Sequence, residues 1–259
     1  MRRTGLLTHP TLEQLRQLGL AGMARAFEEL TTNTRAADLD HAEWLGLLLD
    51  RELADRQDRR LRARLRYARL RHNAAVEDID YRTSRGLDRA LFQKLAQGGW
   101  IKEQQNLIIV GPSGVGKSWL ACAPWLASAL GHRACRDNLS VLYQRIPRLF
   151  SDLALARGDG RYARLMRALG GVKLLILDDW GLEPLTAEQR HDLLEIVEDR
   201  YGRGATLITS QVPVDRWHDL IGDPTLADAI LDRVVHNAHR IQLRGESLRR
   251  KTAQENAMA

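Results

Sequence analysis

The eight residues Gly111-Pro112-Ser113-Gly114-Val115-Gly116-Lys117-Ser118 follow the apolar run Leu107-Ile108-Ile109-Val110 and have the types and spacing of a phosphate cradle. Glycines let successive backbone N–H groups turn toward a polyphosphate, and a following helix offers its positive end. Lys117 can reach the outer phosphates and Ser118 can hold Mg²⁺, so the pattern predicts a site for ATP with its metal. A second chemical segment, Lys173-Leu174-Leu175-Ile176-Leu177-Asp178-Asp179, ends in paired carboxylates, the first 61 residues beyond Lys117. At that place Asp178 is expected to hold Mg²⁺ through its water shell beside Ser118, and Asp179 to orient the attacking water. Thr209-Ser210-Gln211 ends a further apolar run and is read as a polar sensor of the γ-phosphate or, alternatively, as turn-forming residues that close a strand. Arg233 stands near the end of the amphipathic stretch 226–236. It is read as a finger for a neighbouring subunit's ATP or as the partner of Asp228 or Asp232 on its own helix, and position alone favours the pairing.

These residues need a scaffold that brings strand ends together. Leu107–Val110, Val141–Gln144, Leu174–Leu177 and Thr206–Thr209 are short apolar or β-branched runs separated by helical stretches. Such alternation predicts an α/β P-loop NTPase fold with a parallel, doubly wound sheet, in which ligands bind at the carboxyl ends of the strands. Residues 8 to about 96 instead have apolar positions at helical spacing, and Gly98-Gly99-Trp100 punctuates the chain after them. The expected organisation is a small all-helical domain, 1–97, for DNA or a partner, followed by an ATPase domain, 98–259.

Composition narrows the partners. The 259 residues carry 39 basic side chains against 33 acidic ones, a formal net charge of +6. Between Arg51 and Arg71 there are nine arginines against three acids, which favours a polyanion such as double-stranded DNA over a merely solvated helix face. Arg56, Arg59, Arg60, Arg62, Arg64 and Arg66 are the candidate contacts. No apolar run approaches the roughly 20 residues that cross a bilayer, and the first residues lack a signal-peptide core, so no membrane partner and a cytoplasmic location are expected. Cys122 and Cys135 cannot form a disulfide framework or a zinc site by themselves and are expected to be small buried side chains.

Residues 174–190, 193–211, 223–241 and 245–251, together with 76–96 in the helical part, closely resemble the IstB-like ATP-binding proteins. These are helper subunits of bacterial insertion-sequence transposases, similar to the DnaC helicase loaders and of the AAA+ class. The resemblance implies ATP-dependent self-association on duplex DNA with ATP at the subunit interfaces, delivery of target DNA to the cognate transposase, and hydrolysis that ends the assembly. Carried over by position, Gly111 to Ser118 are the ATP loop, Asp178 and Asp179 the acidic pair, Gln211 the sensor place and Arg233 the finger. Gln211 departs from the Asn common in the family, and its extra methylene moves the amide by over an ångström. A DnaC-like helicase loader is the alternative reading, and a small-molecule kinase, which needs the same loop, a third.

One local departure bears on the fold. Ser118-Trp119-Leu120-Ala121-Cys122-Ala123 is followed by Pro124-Trp125-Leu126-Ala127-Ser128-Ala129, a near-repeat of six residues. Six residues advance a helix by about 600°, which leaves everything beyond rotated by about 240°. Pro124 inside a helix would cost about 3 kcal/mol unless the helix kinks. The sequence therefore predicts a bulge or kink at Pro124 that rejoins the normal register near Leu130, and a protein that melts higher without 124–129.

Overall fold

The structure is a computed structural model that describes residues 9–33, 38–79, 87–111 and 123–243. Compact packing divides the chain within one long helix, between Ala63 and Arg64.

The first unit holds α1 (Pro10–Gln17), α2 (Ala21–Thr32) and the larger part of α3 (His41–Ala68). Its tightest point is Gly22, where an added Cβ would lie 2.6 Å from the Cα of Glu52, so α2 and α3 pack with no room for a methyl. The Glu52 side chain is buried and accepts from the backbone N–H groups of Gly22 (2.7 Å) and Met23 (3.2 Å). It thereby caps α2, whose own preceding residue Leu20 supplies no side-chain bond. Burial alone would raise the Glu52 pKa, but Arg56 and those two amides outweigh it and hold the carboxyl below its ordinary 4.5.

The second unit is built on a five-stranded parallel sheet in the order β2-β3-β4-β1-β5. The strands are β1 (Asn106–Val110), β2 (Val141–Arg145), β3 (Leu174–Trp180), β4 (Ala205–Ser210) and β5 (Ala238–Gln242). The first four coincide with the expected runs, and β3 extends through both aspartates. Leu174 to Leu177 are wholly buried, as a central parallel strand covered on both faces requires. One face packs its alternate residues Ile108, Leu142, Leu175, Leu177 and Ile208 against α7 (Ile146–Gly158), α8 (Tyr162–Gly171), α9 (Ala187–Arg200), α10 (Trp217–Ile221) and α11 (Pro224–Val235). Helix α6 (Ala123–Arg136) contacts β1 to β4 and places Gly131 against Ile176 and Val141, residues of the opposite parity.

Helices α4 (Arg89–Ala96) and α5 (Gly99–Lys102) contact α6 and β4 respectively, and they bury Phe92, Leu95, Trp100 and Ile101. The compact packing thus divides the chain at Ala63/Arg64, and the apolar side chains that precede the Gly98-Gly99 turn belong to the unit that holds the sheet. Among the described residues no helix is long and apolar enough to cross a membrane. Cys135 is buried as expected, and Cys122 lies outside the described residues.

The bulge expected over 124–129 is overturned, whereas the alternative of a kink at Pro124 turns on residues 112–122, which lie outside the described residues. Pro124 lies in the first described turn of α6, where it breaks no described hydrogen bond, and its carbonyl accepts from Ser128 Oγ at 2.8 Å. Trp125 to Leu130 are all buried, so this segment fills the layer above the sheet instead of bulging from it. Deleting 124–129 is accordingly expected to lower the melting temperature. Leu126→Ala, at a side chain with no exposure, is expected to cost about 3 kcal/mol in denaturant titration. In the first unit, Glu52→Gln should destabilise the helices by about 1–2 kcal/mol at pH 7. Because the folded-state pKa is depressed, the Glu52 contribution is complete above 4.5 and fades as pH falls through the lower folded value. The wild-type and Gln melts should therefore converge in acid.

Candidate functional site

The carboxyl ends of β2, β3 and β4 converge on one carboxylate. Asp178 has no exposure to solvent. Its Oδ1 accepts a short hydrogen bond from the Thr209 hydroxyl, and its Oδ2 accepts one from the Tyr143 hydroxyl and another from Arg71 Nη1 at 3.0 Å. Thr209 and Tyr143 are themselves buried, and desolvation together with the Asp178 carboxylate drives the Tyr143 pKa upward, so the phenol stays a donor. A buried carboxylate persists as an ion only when paired and hydrogen-bonded in this way.

Asp179 reaches the same place by an irregularity. In a regular strand, consecutive side chains point to opposite faces. Here the β3–β4 register shifts between Leu177 and Trp180, and Asp179 has φ +64°, in the left-handed region. This bulge re-aims the second carboxylate, as bulges beside functional sites do. Asp179 Oδ2 accepts from Arg145 Nε at 2.8 Å and Nη2 at 2.7 Å, and lies 3.8 Å from Arg71 Nη1. The Asp179 backbone N–H donates to Thr209 Oγ1 at 3.3 Å. Gly111 closes β1 at the same edge: its N–H donates to the Ser210 carbonyl, and an added Cβ would meet Leu243 Cβ at 3.0 Å.

The remaining predicted residues are distributed as follows. Pro112, Ser113, Gly114, Val115, Gly116, Lys117 and Ser118 lie outside the described residues. Gln211 is exposed just past β4, whereas its neighbours Thr209 and Ser210 turn inward, Ser210 Oγ donating to the Trp180 carbonyl at 2.9 Å. Arg233 pairs with Glu198 on α9 at 2.8 Å and donates to the Ala229 carbonyl. Neither Asp228 nor Asp232 is its partner, and Asp228 lies beside His218 instead. The carbonyls of Arg233 and Val234 are held by Asn106 Nδ2 at the start of β1, so Arg233 sits at the end of the sheet opposite Asp178. A five-residue strand, rising about 3.3 Å per residue, separates the two edges.

The α3 arginines divide in two. Arg56 and Arg59 pair with Glu52, Arg59 also with Asp55, and Arg62 donates to the Asp58 carbonyl. Arg64, which belongs to the second unit, donates to the Cys135 carbonyl and to Asn138 Oδ1. Arg60 is exposed. Arg66 lines a groove of about 670 Å³ with Tyr67, Arg69, Gln144, Arg148, Leu155, Arg161 and Arg164, in which, among the described residues, Asp152 is the one acidic lining residue.

Tyr143, Arg145 and Arg71 complete the acidic site without having been singled out in the sequence, and Thr209, read there as part of the sensor segment, serves as a donor to Asp178. The parallel register that opposes Arg145 to Asp178 brings β2 to the acids, and that register is a property of the folded sheet. The donor set is one of hard oxygens, fitted to Mg²⁺.

Comparison with known proteins agrees with this architecture. The chain is 69% identical over 245 residues to the insertion sequence ATP-binding protein y4pL of Sinorhizobium fredii, covering 95% of this chain and 98% of the relative. It is 50% identical over 209 residues to the IS1162 ATP-binding protein of Pseudomonas fluorescens, covering 80% and 88%. Among solved structures, DnaI superposes with a TM-score of 0.56 at 22% identity over 66% of this chain and 91% of its own. AMPPCP-bound DnaA of Aquifex aeolicus does so with a TM-score of 0.54 at 16% identity over 73% and 55%. These share the fold. The IstB-like ATP binding protein family matches residues 13–256, and with the parallel sheet, the phosphate-loop sequence and the paired aspartates on β3, the chain belongs to that family.

Proposed function

We propose that this protein is an ATPase that assembles on double-stranded DNA in an ATP-dependent way, delivers it to its partner transposase, and is released when ATP is hydrolysed. The observation that carries this reading is the pairing of a buried acidic site at the strand ends with an arginine-lined groove on the same compact unit. The insertion-sequence context of the relatives supports a transposase as the protein partner.

Lys117 and the backbone of residues 111–118 bind the phosphates, and Asp178 with Ser118 is the pair that would hold Mg²⁺. When bound, the metal screens the charge of the transferring phosphoryl group. Asp179 orients the attacking water from its re-aimed position, and Gln211 stands at the same edge as the sensor. Arg233 cannot serve its own chain's phosphate loop, since its helix end is tied to the opposite edge of the sheet. As a finger it acts on a second copy, which makes hydrolysis depend on assembly.

Two measurements test this. Arg66→Ala, Arg69→Ala and Arg164→Ala are each expected to weaken duplex binding uniformly across sequences and to lower the slope of log affinity against log salt by about one. In Lys117→Ala, residual binding should lose its dependence on ATP. Retained ATP binding without duplex binding would favour the helicase-loader reading. Arg233→Ala should abolish ATPase activity while preserving ATP binding, and mixing it with inactive Lys117→Ala should restore part of the turnover, because each supplies what the other lacks.

A further inference from the structure

Arg71 belongs to no helix or strand. It follows the end of α3 by three residues, beyond Arg69 with its φ of +51°, and precedes the short turn Val76–Asp78. Its guanidinium nevertheless binds the most deeply buried acid of the site, at 3.0 Å from Asp178 Oδ2. The partners of Asp178 differ in character. Tyr143 and Thr209 are buried donors fixed by the strands that carry them, whereas the Arg71 side chain is 41% exposed and reaches in from solvent. Among the described partners, it is the one that stands on the accessible side of the carboxylate.

We infer that Arg71 is an internal counter-ion that competes with the divalent cation for Asp178, so that metal–nucleotide binding must displace it. This rests on the reading of Asp178 as the metal-binding carboxylate. A guanidinium and a divalent cation, or the water shell of one, draw on the same lone pairs of Oδ2, and in a desolvated pocket the two positive charges repel with little screening. Arg71 is also the partner that can leave at least cost. Asp179 retains both of its bonds from Arg145 when Arg71 departs, since its own separation from Arg71 is 3.8 Å. Asp178 retains Tyr143 and Thr209. The two aspartates and the two arginines balance their charges, so an incoming cation that displaces one arginine keeps the buried carboxylate neutralised throughout.

The test is the affinity of the full chain for a fluorescent ADP analogue, measured with Mg²⁺ and with EDTA. Removing a competitor strengthens binding of the metal–nucleotide pair, and coupling of this kind is worth roughly 5- to 150-fold. Arg71→Met is expected to tighten Mg²⁺-nucleotide binding by about tenfold and to weaken binding in EDTA, where the exposed charge of Asp178 repels phosphate. A purely structural role would move both affinities in the same direction. Arg71→Lys, which keeps the charge and loses the planar fork, should change the ratio of the two affinities in the same sense by a smaller factor, and it serves if the Met variant misfolds. Unchanged or weakened Mg²⁺-nucleotide binding in either folded variant overturns the inference. Asp178→Asn separates the two levels. Wild-type metal dependence in that variant would defeat the reading of Asp178 itself. Loss of metal dependence there, with no tightening in the Arg71 variants, would defeat the counter-ion alone.

Discussion

A carboxylate withdrawn from water at the end of a central strand is the constraint that organises this molecule. Asp178 has no solvent exposure, and an isolated charge there would be too costly to keep. Its tolerance depends on three donors delivered by separate parts of the chain: a phenol from β2, a hydroxyl from β4 and a guanidinium from the segment after α3. The two strand-borne donors are in place only if the parallel register is correct, so the sheet order and the acid stabilise one another. The bulge at Asp179 extends the scheme to a second carboxylate by trading regular pairing and a favourable backbone conformation for a shared electrostatic environment.

Much of this was legible in the sequence. Strands β1 to β4 announce themselves as apolar or β-branched runs because both of their faces are covered. Strand β5 does not: Ala-His-Arg-Ile-Gln is a half-exposed edge that pairs with β1 alone, and its polar composition carries no strand period. Asp178 and Asp179 could be found from spacing, since the acids end an apolar run. Tyr143, Arg145 and Arg71 could not, because what selects them is spatial register, and Arg71 is 107 residues from the carboxylate it holds. The bulge expected in the second copy of the six-residue repeat was misread for a related reason. Helical rotation treats a helix as a rigid rod of fixed origin, but what settled Trp125 to Leu130 was apolar surface to be covered above the sheet.

The arginine run illustrates how little a count of charges says about their use. Arg56 and Arg59 neutralise the buried acids that hold α2 and α3 together, and Arg64 serves as a structural bolt to the backbone of α6 and its following turn. Arg66 and Arg69 instead face a groove whose other arginines come from α7, from α8 and from the residue that precedes α8, which composition alone would never have joined to α3. A single stretch of sequence thus divides into packing, anchoring and presentation, and the division follows the distribution of acidic and carbonyl acceptors around the helix.

Asn106 carries a different kind of consequence. Its amide donates to the carbonyls of Arg233 and Val234 and accepts from the N–H of Thr206, and its backbone N–H donates to the Asn237 carbonyl. One side chain therefore rivets the starts of β1 and β4 to the last turn of α11. In mechanical terms this is a stiff joint: a force on the end of α11 is borne by two strands at once, not by a pliable loop. Because those strands are short and fully bonded, they transmit the load along their length as nearly rigid rods. The edge that carries Arg233 and the edge that carries Asp178 are in this sense two ends of one lever, with a side-chain amide as its pin.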